Sequence, residues 1–289
     1  MALAALSGDE QRIIFVQLCN PLDPGVAVAF GSASNELWEL TQAPRQQLQA
    51  DYEAAAALGR KADMRSCKEL REAKEVHCDR TELSSDDSAL LGMLGSVLPA
   101  LEALSLNEPA AGPYGVMFLR LAEKLGAGAL PAVTHLCLSR TQVGDAGASA
   151  LAAALGRGAM PRLKDLSLDN AAIGDAGLVA LAPALRRLPA LEDLDIWNNP
   201  LGDEGLAALV APPPPGAGAP PPTTGGLTKL KRLDLCGTQT ADAGCAALAA
   251  ALESGALPAL NTLYLIGISA SAAATGNVRR ARRLGCLLL

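Results

Sequence analysis

The sequence predicts an α/β solenoid, a right-handed horseshoe with a parallel inner sheet and outer helices, preceded by a small all-helical head. Two observations carry that reading. A short apolar signature recurs at near-constant spacing along most of the chain. Ala and Leu, 56 and 51 of 289 residues, supply most of the apolar composition, which suits helices packed closely on strands. A sandwich or barrel would lean on Val, Ile, Thr, Tyr and Phe, yet aromatic residues make up only 3% of this chain. At 50% apolar it can bury a core, so disorder is excluded for most of its length. A net charge of −6 argues against a nucleic-acid partner, since duplex binding needs Lys and Arg massed on one face.

Residues 1–65 form the expected head. From Leu6 to Trp38 the chain reads as three short helices. Ile13, Ile14, Phe15 and Leu18 lie on the first, and Asp23-Pro24 opens the second with Pro in its first turn. Ser34 is placed to cap the third, and residues 46–74 follow as helix leading into the repeats. Over residues 6–42 the order Ile-Ile-Phe-x-x-Leu, Leu-Asp-Pro, an apolar run and Ser-x-x-Leu-Trp resembles an F-box. Leu6-Ser7 departs from the family's usual Leu-Pro start, and Asn20-Pro21 lengthens the first connection. The resemblance implies contact with a cullin-RING ligase adaptor through Ile14, Phe15, Leu18, Leu22 and Pro24. A helical cap shielding the first repeat accounts for the same segment; both readings stay open here.

Residues 66–275 carry about seven copies of Leu-x-x-Leu-x-Leu. With the second apolar position as marker, they fall at Val76, Leu104, Leu136, Leu166, Leu194, Leu233 and Leu263, spaced 28, 32, 30, 28, 39 and 30 residues apart. The x-Leu-x-Leu-x core has period two, so each copy predicts a short strand with its leucines facing one side. Gly-Asp-x-Gly then recurs, and Asp145, Asp175, Asp203 and Asp242 are suited to cap the helices that they open. Leu151 and Leu155, Leu178, Leu181 and Leu185, and Leu248 and Leu252 follow at helical spacing. The pattern resembles the ribonuclease-inhibitor-like class of leucine-rich repeats over roughly residues 68–275. That class uses Asn, Cys or Thr at the turn after the strand. Asn199, Thr81, Thr141 and Thr238 fit, whereas Pro109, Ala171 and Ile268 put the regularity of their turns in question. A Pro-rich stretch at 211–226 fills the longest interval and is expected to leave the solenoid as a loop, either a spacer or a ligand for aromatic-lined grooves.

Enzyme signals are weak. His77 and His135 fall in different repeats, no Gly-rich phosphate loop occurs, and Cys67, His77 and Cys78 lack the paired spacing of a zinc site. No cofactor, no metal and no catalysis are therefore expected. Function is expected on the concave strand face, where side chains alternate with the leucines. Asp165, Asp169, Asp193, Asp195 and Asp234 gather there on three consecutive strands, bordered by Trp197 and Tyr264. An acidic floor with an aromatic edge fits a partner with a basic surface; charges keeping an exposed sheet soluble would produce the same aspartates.

Combined, the resemblances imply a non-catalytic substrate receptor of a cullin-RING ubiquitin ligase, monomeric outside its complex. Alternatives are a small-GTPase regulator resembling the Ran GTPase-activating proteins, which share this repeat class, and a plain scaffold or inhibitor. Scattered cysteines and the absence of an 18-residue apolar stretch point to a cytoplasmic or nuclear chain with reduced thiols. The basic tail, 276–289, ends in Cys286-Leu287-Leu288-Leu289, which resembles a geranylgeranylation signal behind Arg279, Arg280, Arg282 and Arg283. Membrane contact is expected only if Cys286 is lipidated; in so Leu-rich a chain the match also arises by accident.

Overall fold

The computed structural model describes residues 6–78, 83–107, 114–211, 227–281 and 286–288. The Pro-rich segment beyond Ala211, Thr81, Pro109, Arg282 and Arg283 lie outside them.

Five helices open the chain: α1 (Gly8–Leu18), α2 (Gly25–Gly31), α3 (Asn35–Leu40), α4 (Gln42–Lys61) and α5 (Cys67–Glu72). Ser7 caps α1 in a reciprocal box with Glu10, and the Ser34 hydroxyl accepts from the Leu37 N–H at the start of α3. Strand–helix units follow: β1 (Glu75–His77) with α6 (Ser85–Leu94), β2 (Ala103–Ser105) with α7 (Tyr114–Lys124), and β3 (His135–Cys137) with α8 (Gly144–Gly156). Next come β4 (Asp165–Ser167) with α9 (Asp175–Leu185), β5 (Asp193–Asp195) with α10 (Asp203–Val210), β6 (Arg232–Asp234) with α11 (Asp242–Glu253), and β7 (Thr262–Tyr264) with α12 (Ala272–Ala281). All strands are parallel and pair in chain order, and β8 (Cys286–Leu288) joins the sheet beside β7.

The register follows the apolar pattern. Val76, Leu104, Leu136, Leu166, Leu194, Leu233 and Leu263 stand opposite one another, each at most 2% exposed. A strand turns alternate side chains to opposite faces, so this row is the inner wall of the core and its neighbours lie on the other face, where Ser105 is buried as well. The helices reach the wall through small residues: Ala148 and Ala154 of α8 and Ala182 of α9 are fully buried between leucines.

The repeat aspartates act one repeat further on than their sequence position implies. Asp145 Oδ1 accepts from the N–H groups of Gly174 and Gly177, at 2.7 and 3.0 Å. Asp175 does the same for Gly202 and Gly205, and Asp203 for Ala241 and Gly244. Asp242 accepts from the Ser271 N–H at 2.6 Å. Each carboxylate thus caps the following helix rather than its own, corroborated by the lack of a side-chain cap at the start of α8, α9, α10 and α11. The contact also explains the second glycine of the motif. A Cβ at Gly177 or Gly244 would lie 2.5 Å from the preceding repeat's carboxylate oxygen.

The turn at Ala171 keeps its side-chain hydrogen bonds, although Ala172 takes left-handed backbone there, φ 56°. Asn199, 2% exposed, donates to the carbonyls of Leu168 and Ile196, and its Oδ1 accepts from the N–H groups of Ala171 and Ile173. One side chain serves two turns. Thr141 and Thr238 donate to Leu138 and Leu235 at the equivalent place.

Ala55 and Leu58 of α4 and Cys67 and Leu70 of α5 belong to the same apolar core as Val76, Leu91 and the repeat leucines. Lys61 pairs with Asp87 of α6 at 2.5 Å, and Arg71 with Asp23 at 2.7 Å. Phe15, Ala27 and Leu48 make a second, smaller cluster between α1, α2 and α4.

Candidate functional site

The concave face is three rows of outward side chains crossing the sheet. The first runs Glu75, Ala103, His135, Asp165, Asp193, Arg232, Thr262, and the second His77, Ser105, Cys137, Ser167, Asp195, Asp234, Tyr264. The third lies just past the strands, where backbone pairing continues: the N–H groups of Arg140, Asn170, Asn198 and Gly237 donate to the carbonyls of Asp169, Trp197, Cys236 and Ile266 at 2.8–2.9 Å. That row reads Ser139, Asp169, Trp197, Cys236, Ile266. It ends in a turn residue with left-handed backbone, Arg140, Asn170, Asn198, Gly237 or Gly267, with φ between 52 and 70°. Asn and Gly tolerate that conformation best, which accounts for four of the five.

All seven residues expected on this face, Asp165, Asp169, Asp193, Asp195, Asp234, Trp197 and Tyr264, project from the neighbouring strands β4–β7 and the residues just beyond them. The face is not a bare cluster of carboxylates. Arg232 reaches back from β6, with Nη1 3.0 Å from Asp193 Oδ1 and Nη2 3.7 and 3.2 Å from Asp195 and Asp234. Its guanidinium also sits over the Tyr264 ring at 5.1 Å. His135 Nε2 is 2.6 Å from Asp165, and the hydroxyls of Ser139 and Ser167 both donate to Asp169. His135, Asp165, Ser167, Asp193, Asp195 and Arg232 line an open depression of ≈ 290 Å³.

Among the described residues of the patch, five carboxylates against one guanidinium leave it negative. Burial, then the neighbouring carboxylates, hold Asp193 and Asp195 above the usual carboxylate range, and Arg232 only partly relieves them. Burial pulls the Arg232 guanidinium down, but Asp193, Asp195, Tyr264 and Asp234 outweigh it and raise it overall. Cys236 is pushed up to about 11 by burial and by Asp234, so its thiol stays protonated at neutral pH.

Arg232 is the residue that sequence reasoning missed. Its outward position was legible, but its role as counter-ion depends on the pairing of β5 with β6 across the 39-residue interval. Among the described residues, no group of three His, Cys, Asp or Glu could hold a metal ion, and no helix is long and apolar enough to cross a membrane.

The head residues are distributed differently from the expectation. Phe15 is fully buried in the head's own cluster and Leu22 is 4% exposed in the main core, so neither is presented to a partner. Ile14, Leu18 and Pro24 are half-buried. The apolar side chains that do face outward are Ile13, Val16, Val26, Val28 and Trp38. The cause is that the four consecutive apolar residues Ile13-Ile14-Phe15-Val16 point around a whole turn of α1, and Phe15, the bulkiest, turns inward. Cys286 begins β8, its backbone paired with Thr262.

Three segments of the chain, 130–152, 160–182 and 188–210, match the Leucine Rich repeat family model. The chain is similar to the solved structure of an internalin (inlF) from Listeria monocytogenes, with 15% identity and a TM-score of 0.39, over 74% of this chain and 52% of that one. It thus spans about half the length of the internalin chain. A Bacteroides fragilis protein is similar over 89% of this chain and 84% of its own, with 9% identity and a TM-score of 0.42. No curated protein matches the chain.

Proposed function

We propose that this chain of leucine-rich repeats is a non-catalytic recognition module that holds a protein partner with a basic surface on its concave face. One observation carries the reading: Asp165, Asp169, Asp193, Asp195 and Asp234 share three adjacent strands, with Arg232 the full positive charge paired with them among the described residues, beside exposed Trp197. Such a surface attracts Lys and Arg at long range and supplies aromatic area for close contact. The test is purification of partners on the full chain at low and high salt, followed by Asp165→Asn with Asp234→Asn. A basic partner released by salt and lost with the double variant is the expected result. A partner indifferent to both changes would refute the reading.

A second reading, substrate receptor of a cullin-RING ubiquitin ligase, is favoured by the exposed Ile13, Val16, Val26, Val28 and Trp38 of the head. The adaptor contact would then use these side chains in place of Phe15 and Leu22. Full-length protein should capture the ligase's small adaptor, and Ile13→Ser with Val26→Ser should abolish capture without altering the melting temperature. Failure of the intact protein to bind any adaptor leaves the head as a cap of the first repeat.

A further inference from the structure

Next to the carboxylates lies an apolar ledge. Trp197 and Ile266 are 40% and 51% exposed, and among the described residues of the concave sheet they are the large apolar side chains left open to solvent. They are in line with each other, because the Asn198 N–H donates to the Cys236 carbonyl and the Gly237 N–H to the Ile266 carbonyl. Two strand spacings separate them, roughly 10 Å. Between them sits Cys236, buried and smaller than either neighbour, which leaves a dip with two apolar walls. Its Sγ accepts from the Ile266 N–H at 3.3 Å and its thiol stays protonated, so the floor is a small, weakly polar group rather than a reactive one. One step back along each strand, Asp195, Asp234 and Tyr264 stand abreast; the two carboxylates share the Arg232 guanidinium with Asp193, three carboxylates on one cation, and so keep a net negative charge.

The acidic row and the ledge are thus two residues apart on the same strands, roughly 7 Å. That spacing equals the distance between residues i and i+2 on one side of any extended chain. The fold has no need for an open Trp and Ile at these places, and exposed aromatic and aliphatic area beside complementary charge suits an interface.

We propose that the partner contributes an extended segment in which a Lys or Arg and a large apolar residue are separated by one position, the cation meeting Asp195 and Asp234 and the apolar side chain entering the dip between Trp197 and Ile266. This rests on the reading of the concave face as an acidic docking surface and adds its apolar half. The charge of the row selects the cation, and the one-position spacing selects the motif.

The experiment uses the full chain and a phage-displayed library of random 12-residue peptides, followed by fluorescence anisotropy with a selected peptide. Enriched peptides should carry Lys or Arg two positions from Leu, Ile, Phe or Trp. Ile266→Ser should weaken the selected peptide about tenfold with the melting temperature unchanged, and Trp197→Ala provides a second variant should the first fold poorly. Basic peptides without an apolar residue at that spacing, bound equally by wild type and Ile266→Ser, would overturn the ledge while leaving the acidic surface in place. Enriched peptides without basic residues would overturn both. Dimerisation of the full chain that Ile266→Ser abolishes would assign the ledge to a second copy and also overturn the proposal.

Discussion

Asp195 accepts from the Trp197 N–H at 3.1 Å and lies near Arg232, yet its carboxyl is held above the ordinary range by burial and by the charge of Asp234. The sign of the consequence is definite. A folded-state value above the unfolded one makes the folded chain bind protons more readily, so this group's contribution to stability is largest in acid. It is lost as pH rises through the folded value and leaves a net cost at neutrality. Asp195→Asn keeps an oxygen for the Trp197 N–H and removes the charge. It should raise unfolding free energy at pH 7 by up to about 0.5 kcal/mol, the scale of changes outside a core. The gain should vanish below about pH 3.5, under the ordinary Asp value. Chemical denaturation at the two pH values checks this, and a loss of stability at pH 7 would mean that the Arg232 contact outweighs burial. Basic partners should bind the variant more weakly, so stability and recognition oppose each other at this residue.

Helices α9, α10 and α11 begin without a side-chain cap of their own because the preceding repeat supplies one. Local helix stability is therefore borrowed from stacking. Asp175→Ala removes the acceptor for Gly202 and Gly205 at the start of α10 and should cost about 1 kcal/mol. Amide hydrogen exchange distinguishes this from ordinary capping. The Gly202 and Gly205 amides should exchange faster, while the first turn of α9, which contains Asp175 itself, should be unchanged. Faster exchange confined to α9 would restore the intrahelical reading. Arg157 works in the opposite direction, donating to the carbonyls of Ala122 and Leu125 at the end of α7. Arg186 at the end of α9 likewise donates to the carbonyls of Ala208 and Ala211 at the end of α10, so α9 and α10 are tied at both ends, as expected for an array whose stability lies in nearest-neighbour interfaces.

At the scale of the molecule, α4 and α5 carry side chains of the main core, whereas α1 and α2 share a second, smaller cluster with Leu48 of α4. Leu58 and Leu70 are at most 1% exposed in the main core, and fully burying such a side chain contributes about 1.5–3 kcal/mol. A chain beginning at Gln42 should keep a single cooperative unfolding transition. One beginning at Glu75 should lose several kcal/mol, bind a hydrophobic dye and aggregate, because the first repeat is then uncovered. Equal stability of the two truncations would show that the first repeat needs no cover.

Strand positions, their register and the inward row were legible in the sequence because alternation of Leu with polar residues encodes burial locally: seven markers read by spacing are the seven residues that pair across the sheet. The acidic face followed from the same alternation. The direction of Phe15 was not legible, because four consecutive apolar residues, Ile13 to Val16, cover every side of one helical turn and carry no signal of which side turns inward. The aspartate caps, the double service of Asn199 and the counter-ion role of Arg232 join residues 26 to 41 positions apart. Local pattern places those groups on the correct elements, but only the stacking of one repeat on the next brings donor and acceptor within hydrogen-bond distance.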